Sequence, residues 1–135
     1  MTVNQILAVK GKEVFSVLPS ITVYEALVIM SEKNIGAILV VENNVLIGIF
    51  SERDYARKIA LKDKSSKETL VQEIMASDVI TVKPSDNLDY CMELMYTKKI
   101  RHLPVIENDN IIGIISIGDV VKSIIDLQKE TIQYL

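Results

Sequence analysis

Two short segments of the chain place an aspartate three residues after a serine. Ser51 precedes Asp54, Ser116 precedes Asp119, and the two pairs lie 65 residues apart. In both segments a run of apolar residues with strand character stops at the serine, where helical spacing begins. The pattern predicts a capping box, in which the serine hydroxyl accepts a backbone N–H and the carboxylate reaches back to the cap.

Ligand binding is a second interpretation of the same spacing. Free N–H groups at the start of a helix attract anions, and an aspartate has two oxygens that accept hydrogen bonds from hydroxyl groups. Spacing alone favours capping and leaves ligand binding open.

The composition limits the classes of protein that the chain can form. Its 135 residues are 49% hydrophobic and 24% charged, with 5 glycines and 3 prolines, which favours one compact domain, or two halves that share a core, over disorder. No apolar run approaches the ~20 residues of a membrane span, and residues 1–12 lack the features of a signal peptide. A net charge of -3 disfavours a nucleic-acid-binding surface. We therefore predict a cytoplasmic protein with no membrane partner.

The chain has one cysteine and one histidine, which restricts its covalent and metal chemistry. Cys91 cannot form an internal disulfide, and helical spacing around it predicts a buried, inert thiol. Because no second histidine or cysteine lies at ligand spacing, we expect no metal site. We expect no enzyme either, since the chain contains no P-loop, Gly-x-Ser-x-Gly or Gly-x-Gly-x-x-Gly motif.

An internal repeat must position the two Ser-x-x-Asp segments. Residues 14–59 align with residues 79–124 without a gap, and each copy reads as strand, helix, two strands joined as a hairpin, and helix. The predicted first strands are 14–17 and 79–82, Thr22 and Asn87 are predicted to cap the helices that follow, turns are predicted at 43–44 and 108–110, and the final helices at 55–61 and 120–127. Such three-stranded sheets leave one face apolar, so we predict an α/β fold with the copies packed sheet to sheet about a pseudo-twofold axis. The predicted organisation is repeat 1 at 1–62, an exposed linker at 63–70, and repeat 2 with a helical tail at 71–135. The identical positions include Pro19, Met30, Val40, Gly48, Ile49, Ser51 and Asp54 and their counterparts.

These repeats resemble the cystathionine-β-synthase (CBS) domain, in the form of a stand-alone pair of domains, the Bateman module. The resemblance covers about residues 3–125 and rests on four segments: Asn-Ile-Gly-Ala at 34–37, Ser-Glu-Arg-Asp-Tyr-Ala-Arg-Lys at 51–58, Ile-Arg-His-Leu-Pro-Val at 100–105, and Ser-Ile-Gly-Asp at 116–119. It implies a non-enzymatic regulatory module without a required cofactor. Such a module binds AMP, ADP, ATP, NAD or S-adenosylmethionine in clefts between the repeats and signals by a change of conformation. The resemblance also implies a homodimer and a regulated partner protein, whose identity the sequence does not give.

The same resemblance assigns a role to each candidate ligand-binding residue. Asp54 and Asp119 would accept hydrogen bonds from ribose hydroxyls, and Ser51 and Ser116 would reach ribose or phosphate oxygens. The remaining candidates are Ser16, Val17 and Thr81, whose backbone would read the adenine edge, Ile35 and Ile100 as apolar walls, and Arg53, Arg101 and His102 for phosphate.

The cationic residues differ between the two copies. Repeat 2 has Arg101 and His102 where repeat 1 has Gly36 and Ala37, whereas Arg53 has a glycine as its counterpart. Arginine suits phosphate, and a phosphate would favour the charged form of a nearby histidine. We therefore expect two unequal clefts.

Plainer interpretations of these residues stay open. His102 would be a satisfied polar residue at the start of a strand, and Arg53 would belong to a solvated helix face. The whole chain would then be a ligand-free interaction module or, less favoured, a nucleic-acid-binding protein.

Overall fold

The computed structural model describes residues 1–134, so Leu135, at the end of the predicted tail, lies outside the described residues. The chain forms two compact units: the first-repeat unit, Phe15–Val79, and the second-repeat unit, Met1–Val14 together with residues 80–134. In chain order the elements are α1 (Val3–Lys10), β1 (Ser16–Val17), α2 (Val23–Lys33), β2 (Ala37–Glu42), β3 (Val45–Ser51), α3 (Glu52–Asp54), a π-helix (Tyr55–Ala60), α4 (Val71–Ile74), α5 (Leu88–Lys98), β4 (His102–Glu107), β5 (Asn110–Ser116) and α6 (Ile117–Tyr134).

Each unit contains the predicted β-hairpin, and each turn has two residues. Asn43 and Asn44 join β2 to β3, and Asn108 and Asp109 join β4 to β5. The φ angles are 52° and 64° in both turns, a left-handed conformation that asparagine and aspartate adopt more readily than most residues. Since both pairs are antiparallel, the turn brings the start of one strand beside the end of the next.

The sheets differ in their third strand. In the first-repeat unit the order is β1-β2-β3, with β1 parallel to β2. In the second-repeat unit the segment before α5 contributes only an isolated parallel bridge from Val82 to Val105. The predicted strand at 79–82 is therefore wrong in extent.

The helices that follow β1 and Val82 begin where the sequence places their caps. The Thr22 hydroxyl accepts the Glu25 N–H at 3.1 Å, and Asn87 Oδ1 accepts the Tyr90 N–H at 2.8 Å. These helices bury one face in the core of their own unit. Cys91 lies on that face of α5 and is fully buried, as predicted.

The compact units do not follow the order of the sequence repeats. Helix α1 comes before repeat 1 in the sequence but packs in the second-repeat unit, where Leu7 lies against Gly113. Residues 71–79 come after repeat 1 but pack in the first-repeat unit, where Met75 lies against Gly48. The predicted boundaries at residues 62 and 71 therefore separate the sequence repeats, whereas the compact units divide after residues 14 and 79.

The predicted linker at 63–70 is bonded to the first-repeat unit. The N–H groups of Tyr24 and Val23 donate to the carbonyls of Ser66 and Thr69, at 2.9 Å and 2.8 Å. Thr69 is buried, and its hydroxyl donates to the carbonyl of Ser65 at 2.7 Å. The segment thus satisfies N–H groups in the first turn of α2, which no intrahelical carbonyl can reach.

The final helices of the two repeats also differ. The predicted helix at 55–61 is the π-helix, whose Ala56 carbonyl accepts the N–H of Leu61 five residues later at 3.0 Å. The predicted helix at 120–127 is part of α6, which is 18 residues long. None of the helices within residues 1–134 is both long enough and apolar enough to cross a bilayer.

Candidate functional site

Ser51 and Asp54 form the predicted capping box at the start of α3. The Asp54 N–H donates to Ser51 Oγ at 3.2 Å, while Asp54 Oδ2 accepts the Ser51 N–H and hydroxyl, both at 3.0 Å. The capping interpretation of this pair is confirmed.

Ser116 and Asp119 make two of these three bonds at the start of α6. The Asp119 N–H donates to Ser116 Oγ at 3.2 Å, and Asp119 Oδ2 accepts the Ser116 N–H at 2.7 Å. In both pairs the cap uses Oδ2, so the geometry of the cap leaves Oδ1 for another partner. Capping and ligand binding are therefore compatible.

A lysine lies beside each carboxylate, and neither lysine was predicted as a ligand-binding residue. Lys58 Nζ is 3.4 Å from Asp54 Oδ1, and Lys10 Nζ is 2.6 Å from Asp119 Oδ2. Lys58 follows Asp54 by about one helical turn, so the sequence could have indicated this contact. Lys10 gave no such signal, because it reaches Asp119 only through the packing of α1 in the second-repeat unit.

The surroundings of Asp119 favour its ionised form. Burial by itself raises the pKa of this carboxyl, but the hydrogen bonds from Lys10 and from the Ser116 N–H, together with the lysine charge, outweigh burial and hold the pKa below its ordinary value. A carboxylate that stays charged is the stronger hydrogen-bond acceptor.

The other candidates of the first-repeat unit lie near the same end of its sheet. Ser51 pairs with Ala37, and Ser16 pairs with Leu39, two residues further along β2. Ser16 is exposed and Arg53 is half-buried, whereas Val17 is buried in the core. Ile35 is half-buried and lines a pocket of about 520 Å³ with Gly36, Glu52 and Tyr55 among its other walls.

In the second-repeat unit the candidates gather around β4 and the start of α6. His102 pairs with Ser116, and the Arg101 carbonyl accepts the N–H of Ile117 at 2.8 Å. Arg101 and Thr81 are exposed, whereas Ile100 packs against the core.

The surroundings of His102 favour its neutral form. Burial, followed by the charges of Lys10 and Arg101, lowers the pKa of its imidazole, and Asp119 opposes this only in part. The histidine is therefore biased toward its neutral form, and the predicted bias toward the charged form would require an added anion.

No group of three or more acidic, histidine or cysteine side chains within residues 1–134 is arranged to hold a metal ion. Burial, and secondarily the charge of Asp86, raises the pKa of the Cys91 thiol to about 11. That thiol is accordingly unreactive at neutral pH.

Two copies of a strand-helix-hairpin-helix unit, each with a Ser-x-x-Asp cap after the hairpin, define a duplicated α/β module. The family model of the CBS domain matches residues 7–61 and 71–126, and the chain therefore belongs to the CBS-domain family.

Solved structures and relatives agree with this assignment. A CBS-domain protein of known structure from Burkholderia ambifaria MC40-6 is 48% identical, with a TM-score of 0.90 over 93% of this chain and 95% of that one. CBSX3 of Arabidopsis thaliana, named as mitochondrial, is 44% identical over 84% of this chain, which spans 58% of the length of that relative. The CBS domain pair of protein MJ0100, solved with 5'-methylthioadenosine and S-adenosyl-L-methionine, is 25% identical, with a TM-score of 0.80 over 92% of this chain and 95% of that one.

Proposed function

We propose that the chain is a non-enzymatic sensor that binds adenosine-containing ligands through Asp54 and Asp119 and signals by a change of conformation. One observation carries the proposal: each carboxylate is fixed by its own helix cap through Oδ2, at the same position of both repeats. The complex of the MJ0100 domain pair with two adenosine compounds supports the class of ligand. The Burkholderia protein is provisionally named as acting in signal transduction, which supports a regulatory role.

The chemistry of the two carboxylates suits a ribose. A carboxylate offers about four acceptor sites. The cap bonds use Oδ2, and a lysine adds one contact, on Oδ1 of Asp54 and on Oδ2 of Asp119. The two vicinal hydroxyls of a ribose can donate to the remaining sites, and hydrogen bonds to a charged acceptor contribute about 1.5–3 kcal/mol each. Because the caps are already formed, the carboxylates need little further ordering when a ligand arrives.

A thermal-shift panel of AMP, ADP, ATP, NAD, S-adenosylmethionine and 5'-methylthioadenosine tests the proposal. A ligand present at 100 times its Kd stabilises the folded protein by about 2.7 kcal/mol, which raises the Tm measurably. At least one compound of the panel is expected to do so. No shift with any of them, together with no heat of binding in calorimetry, would refute the proposal.

Asparagine variants connect the binding to the two carboxylates. Asp54→Asn and Asp119→Asn keep an oxygen that can accept the cap bond but remove the charge, and each is expected to reduce the ligand-induced shift measured from its own ligand-free Tm. Asp126→Asn, an exposed position on α6, makes the same change in charge and should leave the shift unaltered.

A ligand-free interaction module is the second candidate function. Large apolar side chains are exposed on α6, among them Ile117, Val121 and Ile125, and this surface suits a protein partner or a second copy of the chain. Homodimer formation therefore stays a prediction, and light scattering at micromolar concentration checks it. A cytoplasmic location also stays a prediction.

A further inference from the structure

Lys10 makes a hydrogen bond that a backbone N–H makes in the first-repeat unit. In the first-repeat unit the Ala76 N–H donates to the Ile49 carbonyl at 2.9 Å. The counterpart of Ile49 is Ile114, and its carbonyl accepts Lys10 Nζ at 2.5 Å. A neutral donor in one unit is thus replaced by an ammonium group in the other.

This replacement places the positive charge of Lys10 beside the carboxylate of Asp119. The same Lys10 nitrogen lies 2.6 Å from Asp119 Oδ2, and the lysine side chain is 30% exposed. Asp54 is held less closely, since Lys58 is 3.4 Å away and 44% exposed. The negative charge of Asp119 is therefore more fully compensated than that of Asp54.

Two further groups join Lys10 at this place. His102 pairs with Ser116, whose N–H donates to the same Asp119 oxygen as Lys10, and Arg101 directly precedes His102. We define as the cationic cluster Lys10 and Arg101 together with His102, which an added anion would bring toward its charged form. Burial is the largest cause of the lowered pKa of His102, and the charges of Lys10 and Arg101 lower this pKa further while Asp119 raises it, so both cations act on the histidine.

We propose that Lys10 is a specificity-determining residue, which with Arg101 and His102 makes the Asp119 site selective for adenosine ligands that carry a phosphate. This inference rests on the proposed function, because it assumes that Asp119 binds a ribose. A compensated aspartate does not repel a phosphate next to the ribose, and the cluster attracts it. The same charges oppose the sulfonium group of S-adenosylmethionine. Among the candidate ligands, the site therefore selects AMP, ADP, ATP or NAD.

AMP and adenosine form the decisive pair of ligands, because they differ only in the phosphate. His102 is the only histidine of the chain, so its imidazole proton signals in NMR measure binding at the Asp119 site and not at the Asp54 site. AMP is expected to bind at least tenfold more tightly than adenosine by this signal, and to raise the pKa of His102. Adenosine is expected to leave that pKa unchanged.

Lys10→Gln removes the charge and keeps a group that can donate to the Ile114 carbonyl. We expect it to weaken AMP at least tenfold and adenosine less than twofold. Arg101→Gln, at an exposed position, should act in the same direction and keeps the test usable if Lys10→Gln does not fold. Lys12→Gln makes the same change of net charge at an exposed lysine close by, and should change neither affinity.

The outcomes separate this inference from the proposed function. If the wild-type chain binds no compound of the thermal-shift panel, the proposed function fails, and if it binds S-adenosylmethionine but neither AMP nor adenosine, the inference about the Asp119 site fails while the proposed function stands. If it binds both, but Lys10→Gln and Arg101→Gln weaken them equally or not at all, selection by the cationic cluster is overturned while the proposed function stands.

Discussion

The carbonyl oxygen of Pro104 accepts a hydrogen bond from the Val82 N–H at 3.0 Å. The equivalent residue of repeat 1 is Leu39, which lies on β2 and pairs with Ser16 of β1. The Leu39 N–H donates to the Phe15 carbonyl at 3.4 Å. Proline has no N–H, so this second bond has no counterpart in repeat 2. The third strand of that sheet is therefore reduced to one bridge.

Pro104→Leu should restore the missing donor. We expect the new amide at position 104 to exchange slowly with solvent, as a bonded sheet amide does. The free energy of unfolding should change by less than about 1 kcal/mol, since the net contribution of one hydrogen bond, ~0.5–1.5 kcal/mol, is offset by the lost rigidity of proline. Hydrogen exchange measured by NMR checks this, and exchange at the rate of an unstructured amide would contradict it.

Gly113 should tolerate a side chain less well than Gly48. A Cβ at 113 would lie 2.7 Å from Leu7 Cδ2, and Leu7 is fully buried, so Gly113→Ala is expected to destabilise the protein by about 1–3 kcal/mol. At 48 the nearest atoms are the sulfur and Cγ of the flexible, half-buried Met75 side chain, with the Ala76 carbonyl oxygen at 3.2 Å, and because Met75 can move aside the cost should be smaller. Urea unfolding compares them, and Leu7→Ala should partly relieve the Gly113→Ala clash. Equal effects of the two alanines would contradict this explanation.

Asp119 should stabilise the fold in a pH-dependent way. Its pKa is below the ordinary value of 3.8 in the folded state, so its contribution is fully present above that value and is lost as the pH falls through the folded pKa. In Asp119→Asn this part of the acid destabilisation should be absent. Urea unfolding at several pH values between 2 and 7 measures it, with Asp126→Asn as the control. An unchanged acid profile in Asp119→Asn would count against the Lys10 pairing.

His102 should make the ligand-free protein less stable below neutral pH. Because its pKa is lowered from 6.5, the unfolded chain takes up the proton first, and stability is lost as the pH falls from 6.5 through the folded pKa. His102→Gln should remove this loss. The free energy of unfolding at pH 7 and pH 5 checks the expectation, which an identical pH dependence in both proteins would refute.

Cys91 should react only when the second-repeat unit unfolds. The thiol is fully buried and its pKa is raised to about 11, so a thiol reagent at pH 8 is expected to leave the native protein unmodified and to label it in denaturant. Mass spectrometry measures the labelling. Rapid modification in the absence of denaturant would show that this core opens readily.

Local residue patterns predicted the local structure well. The asparagines at 43 and 108 identified the hairpins, Thr22 and Asn87 identified helix starts, and Ser-x-x-Asp identified both capping boxes. These features depend on residues a few positions apart, whose conformational preferences are visible in the sequence.

Features that depend on distant residues were not predicted. The contact of Lys10 with Asp119 joins segments more than a hundred residues apart, and the hydrogen bonds that Ser66 and Thr69 accept from α2 join segments more than forty residues apart. The π-helix follows from backbone bonding that the sequence pattern at 55–60 did not distinguish from an α-helix. The roles of the candidate residues toward a ligand stay predictions.

The exchange of flanking segments between the units bears on the order in which the chain can fold during synthesis. Domains generally fold as units as they emerge from the ribosome. Residues 15–79 hold every element of the first-repeat unit, so this unit can close early, while α1 has already emerged without its partner strands. Leu7 and Lys10 can reach their partners, Gly113 and Asp119, only after β5 and the start of α6 have been synthesised. Helix α1 is made before the first-repeat unit but is thus among the last elements to be buried.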